Sequence, residues 1–463
     1  SMAEPKPAPT RRQFMWQSAC AAVGLSSLAS TLFDLRRIAA AAPLSYGSAA
    51  AGDYKALVCV FLYGGNDCNN MLVPFDAADY ASYAATRQGL ALAQGTLLPI
   101  NLVSGGDGRQ WALHPSMGGL QSLFAQQKMA LLANVGPLVA PVTRSDYLNQ
   151  TAALPPQLFS HSDQTTHWQT SLPDQPPATG WGGRVADLLN ALNGAQQISM
   201  SISLNGANTF QVGRTVTQFQ CSSSGPIPLD RYTTSTTDAS SNALRSLLAA
   251  SYGNLFQASY RDVFQHAIDN DVLLMNVLAG LPALTTTFPA TDLGGQLGMI
   301  ARLVQARQAL GQQRQVFFCA TGGFDTHQGQ LVPQAQLLGE VSDALAAFYA
   351  ATVEMQVQQS VTAFTASDFG RTFRSNGNGS DHGWGSHHLI VGGAVQGGRI
   401  YGRVPTLAID GPDDTHDGRW IPTTSVDEYA ATLAKWFGVA ASDFPTVLPN
   451  LGRFSTPDLG FMV

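Results

Sequence analysis

Four short segments of this chain carry residues able to do chemistry. Asp67 closes the run Tyr63-Gly64-Gly65-Asn66-Asp67, and Asp325 and His327 sit in Gly322-Gly323-Phe324-Asp325-Thr326-His327. Asp368 opens Asp368-Phe369-Gly370-Arg371-Thr372, and Asp381-His382-Gly383 follows shortly after. Carboxylates and imidazoles in this mix are ligands for divalent ions of the zinc or manganese kind. Glycines beside them let the backbone turn sharply and approach a ligand closely. A single aspartate after a strand is more often a helix cap than a ligand. Three of them, joined by an Asp-x-His and an Asp-His pair, point instead to a metal centre.

A nucleophile candidate lies between these segments. Phe159-Ser160-His161-Ser162-Asp163-Gln164 precedes residues 165–170, where a helix is expected to begin. A serine at a helix N-terminus faces free N–H groups and the positive end of the dipole, a setting that favours anionic substrates. Contact with a metal would lower the hydroxyl pKa and make Ser160 nucleophilic. The competing reading of Ser160 or Ser162 is a plain N-cap.

These residues need a frame. Short apolar runs at 56–62, 129–133, 315–320, 361–366 and 389–391 read as buried parallel strands. Between them, apolar residues recur at helical spacing in 116–127, 297–310 and 337–353. Strand, glycine-rich loop and helix repeat in the way of an α/β sheet with helices on both faces. In such a sheet ligands collect at the carboxyl ends of the strands, and Asp67, Asp325 and Asp368 each follow one. Residues 205–240, rich in Thr, Ser, Gly and Gln, read as an insertion or long loop able to form part of a cap, and 405–425 are similarly loop-like.

The 463 residues are 45% hydrophobic but only 12% charged, with a net charge of −6 and no long basic block. Nothing here is built to neutralise a nucleic-acid backbone, which excludes that partner. Arg11-Arg12, followed by a mildly apolar stretch at 18–33 and small residues at 39–42, fits a twin-arginine export signal. Ser1-Met2 reads as a cloning remnant. Residues 1–42 are then the signal, and 43–463 form one domain that starts near Pro43 and is periplasmic or secreted. No later apolar run is long enough to span a membrane. Five scattered cysteines with no Cys-x-x-Cys pair exclude a zinc finger. Cys59 and Cys319 read as buried thiols, while Cys68 and Cys221 are the pair an oxidising compartment could join.

Together these segments resemble the domain-of-unknown-function 1501 family, in the clan of the alkaline phosphatases and sulfatases. The resemblance runs from about residue 55 to the C-terminus through Gly64-Gly65-Asn66-Asp67, Phe159 to Gln164, Gly322 to His327, Ser367 to Thr372, Asp381-His382-Gly383 and Val391-Gly392-Gly393. It implies an alkaline-phosphatase-like, mostly parallel sheet flanked by helices on both faces. It also implies a hydrolase of phosphate or sulfate esters, on small molecules or polymers, with one or two divalent metals. Carried over, Asp67 and Asp368 resemble ligands of the metal nearest the nucleophile, and Asp325, His327 and His382 those of a second. Ser160 takes the nucleophile position, and Arg371 either contacts substrate oxygens or forms a structural ion pair. Zinc is the first expectation for the metal, with manganese or calcium next.

Three departures matter. The clan has Ser-Asp-His-Gly where this chain has Ser367-Asp368-Phe369-Gly370, so His161, His387 or His114 would have to supply the missing imidazole. The Asp325-Thr326-His327 spacing is also tighter than in phosphatases, which makes a single metal an alternative to two. The Cys/Ser-x-Pro-x-Arg signature of formylglycine sulfatases is absent, which excludes that chemistry. Two rival functions remain: a cell-envelope binding or assembly protein on the same fold, and a redox enzyme using copper or iron.

Overall fold

The computed structural model describes residues 53–104, 107–194 and 196–463. The expected export signal, its cleavage point and Cys20 lie outside the described residues. Among the described residues no helix is long and apolar enough to cross a membrane.

A ten-stranded sheet organises the chain. Its centre is β1 (Lys55–Leu62), a run of eight residues of which seven are buried. The side chains of a strand alternate between faces, and β1 uses both. Ala56, Val58, Val60 and Leu62 enter one apolar core, while Leu57, Cys59 and Phe61 enter another on the opposite side. Each such side chain contributes roughly 1.5–3 kcal/mol when fully buried, so β1 is held from both faces. The first core is covered by the helices Gly118–Ala125, Asp292–Gln305 and Leu331–Glu354, the second by Trp181–Leu189 and Val426–Phe437.

β2 (Leu72–Pro74), β3 (Leu98–Ile100) and β4 (Trp111–Leu113) form a separate small sheet. The large sheet continues with β5 (Met129–Gly136), β6 (Ser201–Ser203), β7 (Phe219–Ser222), β8 (Gly225–Pro226) and β9 (Arg314–Thr321). It is completed by β10 (Val361–Ser367), β11 (Ser386–Gly392), β12 (Ile400–Tyr401) and β13 (Thr424–Ser425). The order is β12-β5-β11-β10-β1-β9-β6-β7-β8, with β13 also on β5. β1 pairs in parallel with β9 and β10, in a register that sets Leu62 beside both Thr321 and Ser367. The carboxyl ends of these three strands therefore meet at one edge.

The strand expected as parallel at 389–391 belongs to β11, which runs antiparallel to both β10 and β5. A parallel neighbour needs a crossover, usually a helix, and residues 368–385 contain none. The chain turns back, and β11 starts at the edge where β10 ends. That reversal brings His382 beside Asp325. Residues 205–240 supply β7 and β8 at the far edge of the sheet and lead into a helical hairpin, Ala239–Ala249 and Leu255–Ala279. Cys59, Cys68, Cys221 and Cys319 are all buried and free, so the Cys68–Cys221 pairing is not made.

Candidate metal centre

Asp325 leaves β9 on a turn that begins at Gly322, and its backbone touches the turn that follows β1. Gly64 has φ +112°, and a Cβ there would stand 2.4 Å from the Asp325 nitrogen. Gly65, with φ +80°, lies so close to the Phe369 ring that a Cβ would meet it at the same distance. Only glycine supplies this backbone geometry without strain, so the two turns and the residue after Asp368 are packed into one floor.

Three imidazoles converge on Asp325. His327 Nε2 lies 3.0 Å and His382 Nε2 3.2 Å from its Oδ1, and His161 Nε2 lies 3.4 Å from its Oδ2. His161 comes from the first turn of the helix His161–Thr170, which brings it over the sheet edge. Its Nε2 is buried and makes no hydrogen bond.

Each ring is held by its other nitrogen. His161 Nδ1 donates to Asp368 Oδ2 at 2.7 Å, His327 Nδ1 to Asp381 Oδ1 at 3.0 Å, and His382 Nδ1 to the Phe159 carbonyl at 2.7 Å. Phe159 adopts φ 72°, a left-handed conformation uncommon outside glycine. With Nδ1 as donor in all three, Nε2 is the free lone pair. Acceptors behind metal-binding histidines commonly fix the ring and tautomer in this way.

The Nε2 atoms of His327 and His382 stand only 2.9 Å apart. Two lone pairs cannot face each other at that distance unless a positive charge, proton or metal, lies with them. Donor atoms around a four-coordinate zinc stand about 3.3 Å apart, close to the spacing of Asp325 Oδ1, His327 Nε2 and His382 Nε2. His161, Asp325 and His382 form a cluster able to hold a metal ion, and His327 borders it on two sides. This cluster fits a divalent cation with two nitrogen donors and one carboxylate, with His327 beside it.

The electrostatics of Asp325 and His382 agree, whereas His161 is biased toward its protonated form, which a cation would have to displace. Burial by itself would raise the Asp325 carboxyl, but the Arg371 hydrogen bond and charge, with His327 and His161, hold it below the usual range. Burial lowers His382 and favours its neutral form, while the hydrogen bond to Asp368 raises His161.

Other expected site residues take different places. Asp368 stands behind His161 and also accepts from Gly64 N at 3.2 Å, so its described contacts orient rather than join the cluster. Asp67 is buried in an ion pair with Arg87, itself fully buried, and accepts from Gln330 Nε2 as well. Its other oxygen caps the helix Cys68–Met71 through Asn69 N at 3.1 Å. Both oxygens thus have partners, and Asp67 lies outside the Asp325 cluster. Arg371 is buried and donates to Asp325 Oδ1 and to the Gly64 carbonyl, each at 2.9 Å, and also to the Ser380 carbonyl. Its described contacts position Asp325. Of the three substitutes for the imidazole missing at Phe369, His161 is the one at the site. His387 lies inside β11 with Nδ1 accepting from Asn134 N, and His114 Nδ1 accepts from Ser116 N.

Ser160 is the N-cap residue of the helix His161–Thr170, yet its side chain makes no capping bond. The hydroxyl instead donates to Asp163 Oδ2 at 2.5 Å, and the Ser162 hydroxyl approaches the same oxygen at 3.2 Å.

The family described as "Protein of unknown function (DUF1501)" matches residues 54–442. The chain belongs to the DUF1501 family. No curated protein matches this DUF1501 member. Among solved structures it is similar to Ps i-CgsB, at 10% identity over 87% of this chain and 77% of that one, with a TM-score of 0.36. PsFucS1 sulfatase from Pseudoalteromonas sp. matches at 8% identity over 85% and 69%, TM-score 0.35. The lipoteichoic acid synthase LtaP from Listeria monocytogenes matches at 8% over 88% and 79%, TM-score 0.35. Overlaps this loose say nothing about what the DUF1501 chain acts on.

Reading the DUF1501 sequence left three site residues without their roles. His161 entered only as a substitute for a missing histidine, although its place at a helix start over the sheet edge was the usable signal. Asp381 was read only as the neighbour of His382, and Asp163 only as part of the Ser160 segment. Their roles depend on which rings and hydroxyls the folded chain sets opposite them.

Proposed function

We propose that this chain is an exported, metal-dependent hydrolase of phosphate or sulfate esters with Ser160 as its nucleophile. The observation that carries the reading is the convergence of three Nε2 atoms on Asp325, one of them from His161, whose neighbour in sequence, Ser160, hydrogen-bonds a carboxylate instead of capping its helix. A divalent cation held by Asp325, His161, His327 and His382, zinc before manganese or calcium, would supply Lewis-acid stabilisation of negative charge on the ester oxygens.

The chain's own groups account for the rest. Asp163 accepts the Ser160 proton as Oγ attacks phosphorus or sulfur and the bond to the ester oxygen breaks, the alcohol oxygen leaving to take a proton from water. Water then attacks the seryl ester, and Ser160 Oγ leaves and regains its proton from Asp163. The side chain of Ser160 leaves the first N–H groups of the helix His161–Thr170 uncapped, which favours a bound anion. Asp368, Asp381 and the Phe159 carbonyl keep the three rings from rotating. Arg371 holds Asp325 in place from beneath. Export rests on the Arg11-Arg12 segment and the charge-poor composition.

The test is turnover of aryl phosphate and aryl sulfate esters by the metal-loaded protein and by Ser160→Ala and Asp163→Asn. Ser160→Ala should lose turnover and keep its metal. Asp163→Asn should lose about 10²–10⁴-fold, the range for a general base. Wild-type rates in Ser160→Ala would remove the serine from the mechanism.

A further inference from the structure

The 25-residue helix Leu255–Ala279 buries only Ile268 and Leu274. Its C-terminal half is anchored, with Leu273, Val277 and Leu278 packed against the main core. Its N-terminal half buries nothing, yet it is apolar. Leu255, Phe256, Tyr260 and Val263 are 70%, 58%, 70% and 70% exposed. Leu247 of the preceding helix Ala239–Ala249 is 60% exposed. Of the thirteen large apolar side chains exposed among the described residues, six lie in this hairpin. Isolated exposed hydrophobes need no explanation, but a cluster marks an interaction surface.

The pattern indicates which surface it meets. Phe256, Tyr260, Val263 and Ala267 follow one another at spacings of four, three and four, the seam spacing of helices that pack along their length. Between the two helices runs a groove of about 570 Å³, lined by Leu244 and Leu248 on one side and Phe256 and Phe264 on the other. Phe256 and Tyr260 belong both to this seam and to the groove wall, with Leu247 opposite, so one continuous apolar face is offered, which a two-fold axis sets against its own copy.

We propose that this hairpin docks a second copy of the chain, two hairpins forming a four-helix bundle about a two-fold axis. The area is sufficient. At about 200 Å² per large side chain, the exposures of the six amount to roughly 700 Å², near the ~800 Å² each partner gives to a stable interface. Charge also fits a copy. Arg261 pairs with Asp262 at 2.6 Å and donates to the Ala250 carbonyl, and Arg245 donates to the carbonyls of Thr233 and Ser235. Within 239–279 Arg245 and Arg261 are balanced by Asp262, Asp269 and Asp271, so no basic excess is left for an anionic lipid surface. The hairpin follows β8, three strands from β9, so docking leaves the metal centre of each copy independent.

Sedimentation velocity of the purified protein at micromolar concentration tests this. The expected mass is twice that of the 49.0 kDa chain. The triple variant Phe256→Asp, Tyr260→Asp, Val263→Asp should halve it with an unchanged circular-dichroism spectrum, because all three side chains are exposed. If the triple variant loses its spectrum, Tyr260→Lys alone should still raise the dissociation constant at least tenfold. A wild-type monomer throughout the concentration range would overturn the proposal. So would a dimer indifferent to these substitutions, or a monomer that floats with neutral phosphatidylcholine vesicles.

Discussion

Asp368 separates two accounts of the site. If it is a ligand, replacing it removes a coordinating atom. If it orients His161, as its 2.7 Å contact with Nδ1 indicates, replacement loosens a ring and leaves all four donors in place. Asp368→Asn keeps an oxygen that can accept from His161 Nδ1 and loses only the charge. Charged hydrogen bonds are about twice as strong as neutral ones, which contribute about 1 kcal/mol. The expected loss is therefore about 1 kcal/mol, or roughly fivefold to tenfold in metal affinity. Asp368→Ala removes the acceptor altogether and strips Gly64 N of its partner. Its loss should approach 100-fold, the upper end for residues behind a metal-binding histidine. His161→Ala deletes a donor and should cost more than either.

The assay is competition for zinc against a chromophoric chelator, with elemental analysis of the protein purified without added metal. The expected order of affinity is wild type, then Asp368→Asn, Asp368→Ala and His161→Ala. The reasoning fails if Asp368→Asn binds no metal while His161→Ala binds it as wild type does, for then the ligand and its support have been exchanged. Proteins that carry copper or iron as isolated would move the chemistry from hydrolysis to redox.

Two further expectations concern stability. Arg87→Met leaves the buried Asp67 carboxylate without its cation, which should cost about 3–5 kcal/mol in urea denaturation. Adding Asp67→Asn to that variant should recover part of the loss, and no recovery would show that the pair is not the source. Asp427 is 1% exposed, and burial pushes its carboxyl up to about 7. The folded state then binds a proton more tightly than the unfolded chain, whose carboxyl titrates near 3.9. Its contribution is complete below about pH 4 and is lost as pH rises through about 7, at up to ~1.4 kcal/mol per pH unit. Asp427→Asn should flatten that slope, and an unchanged slope between the two proteins would rule the residue out.

The floor of the site was legible because it depends on local pattern. β1 is apolar from Ala56 to Leu62 and β9 from Val316 to Ala320, and β10, from Val361 to Ala366, is interrupted only by small threonines, as strands buried on both faces allow. The residues after them inherit the sheet's carboxyl edge. Asp325, His327 and His382 could be singled out for that reason. The direction of β11 was not legible from its composition, since an antiparallel strand buried on both faces has the same one. Only the lack of a helix between 368 and 385 encodes the reversal. Arg87 was invisible for a similar reason: in sequence it is a basic residue in the last turn of the helix Ala77–Arg87, an ordinary surface position. Its fully buried pairing with a carboxylate twenty residues earlier appears only when that helix is folded over the turn after β1.

Arg87 also bears on how many metals the site can hold. The resemblance assigns Asp67 and Asp368 to one ion and Asp325, His327 and His382 to another. In the folded chain the charges of the first pair are already met. A guanidinium sits on Asp67, and an imidazole hydrogen-bonds Asp368. Phe369, where an imidazole would complete that ion's ligands, is buried with its ring 4.8 Å from His161 and 4.6 Å from His382. An ion placed there would have to displace Arg87 from Asp67 and would find a phenyl ring where it needs a nitrogen. The second set has the opposite character, with lone pairs pointed at one another and each imidazole braced from behind. Both carboxylates, Asp67 and Asp325, carry a guanidinium, from Arg87 and Arg371, so the sets differ in their imidazoles. Those around Asp325 turn free Nε2 atoms toward it, and the proposed hydrolase would hold one ion per chain there, with Asp368 supporting His161.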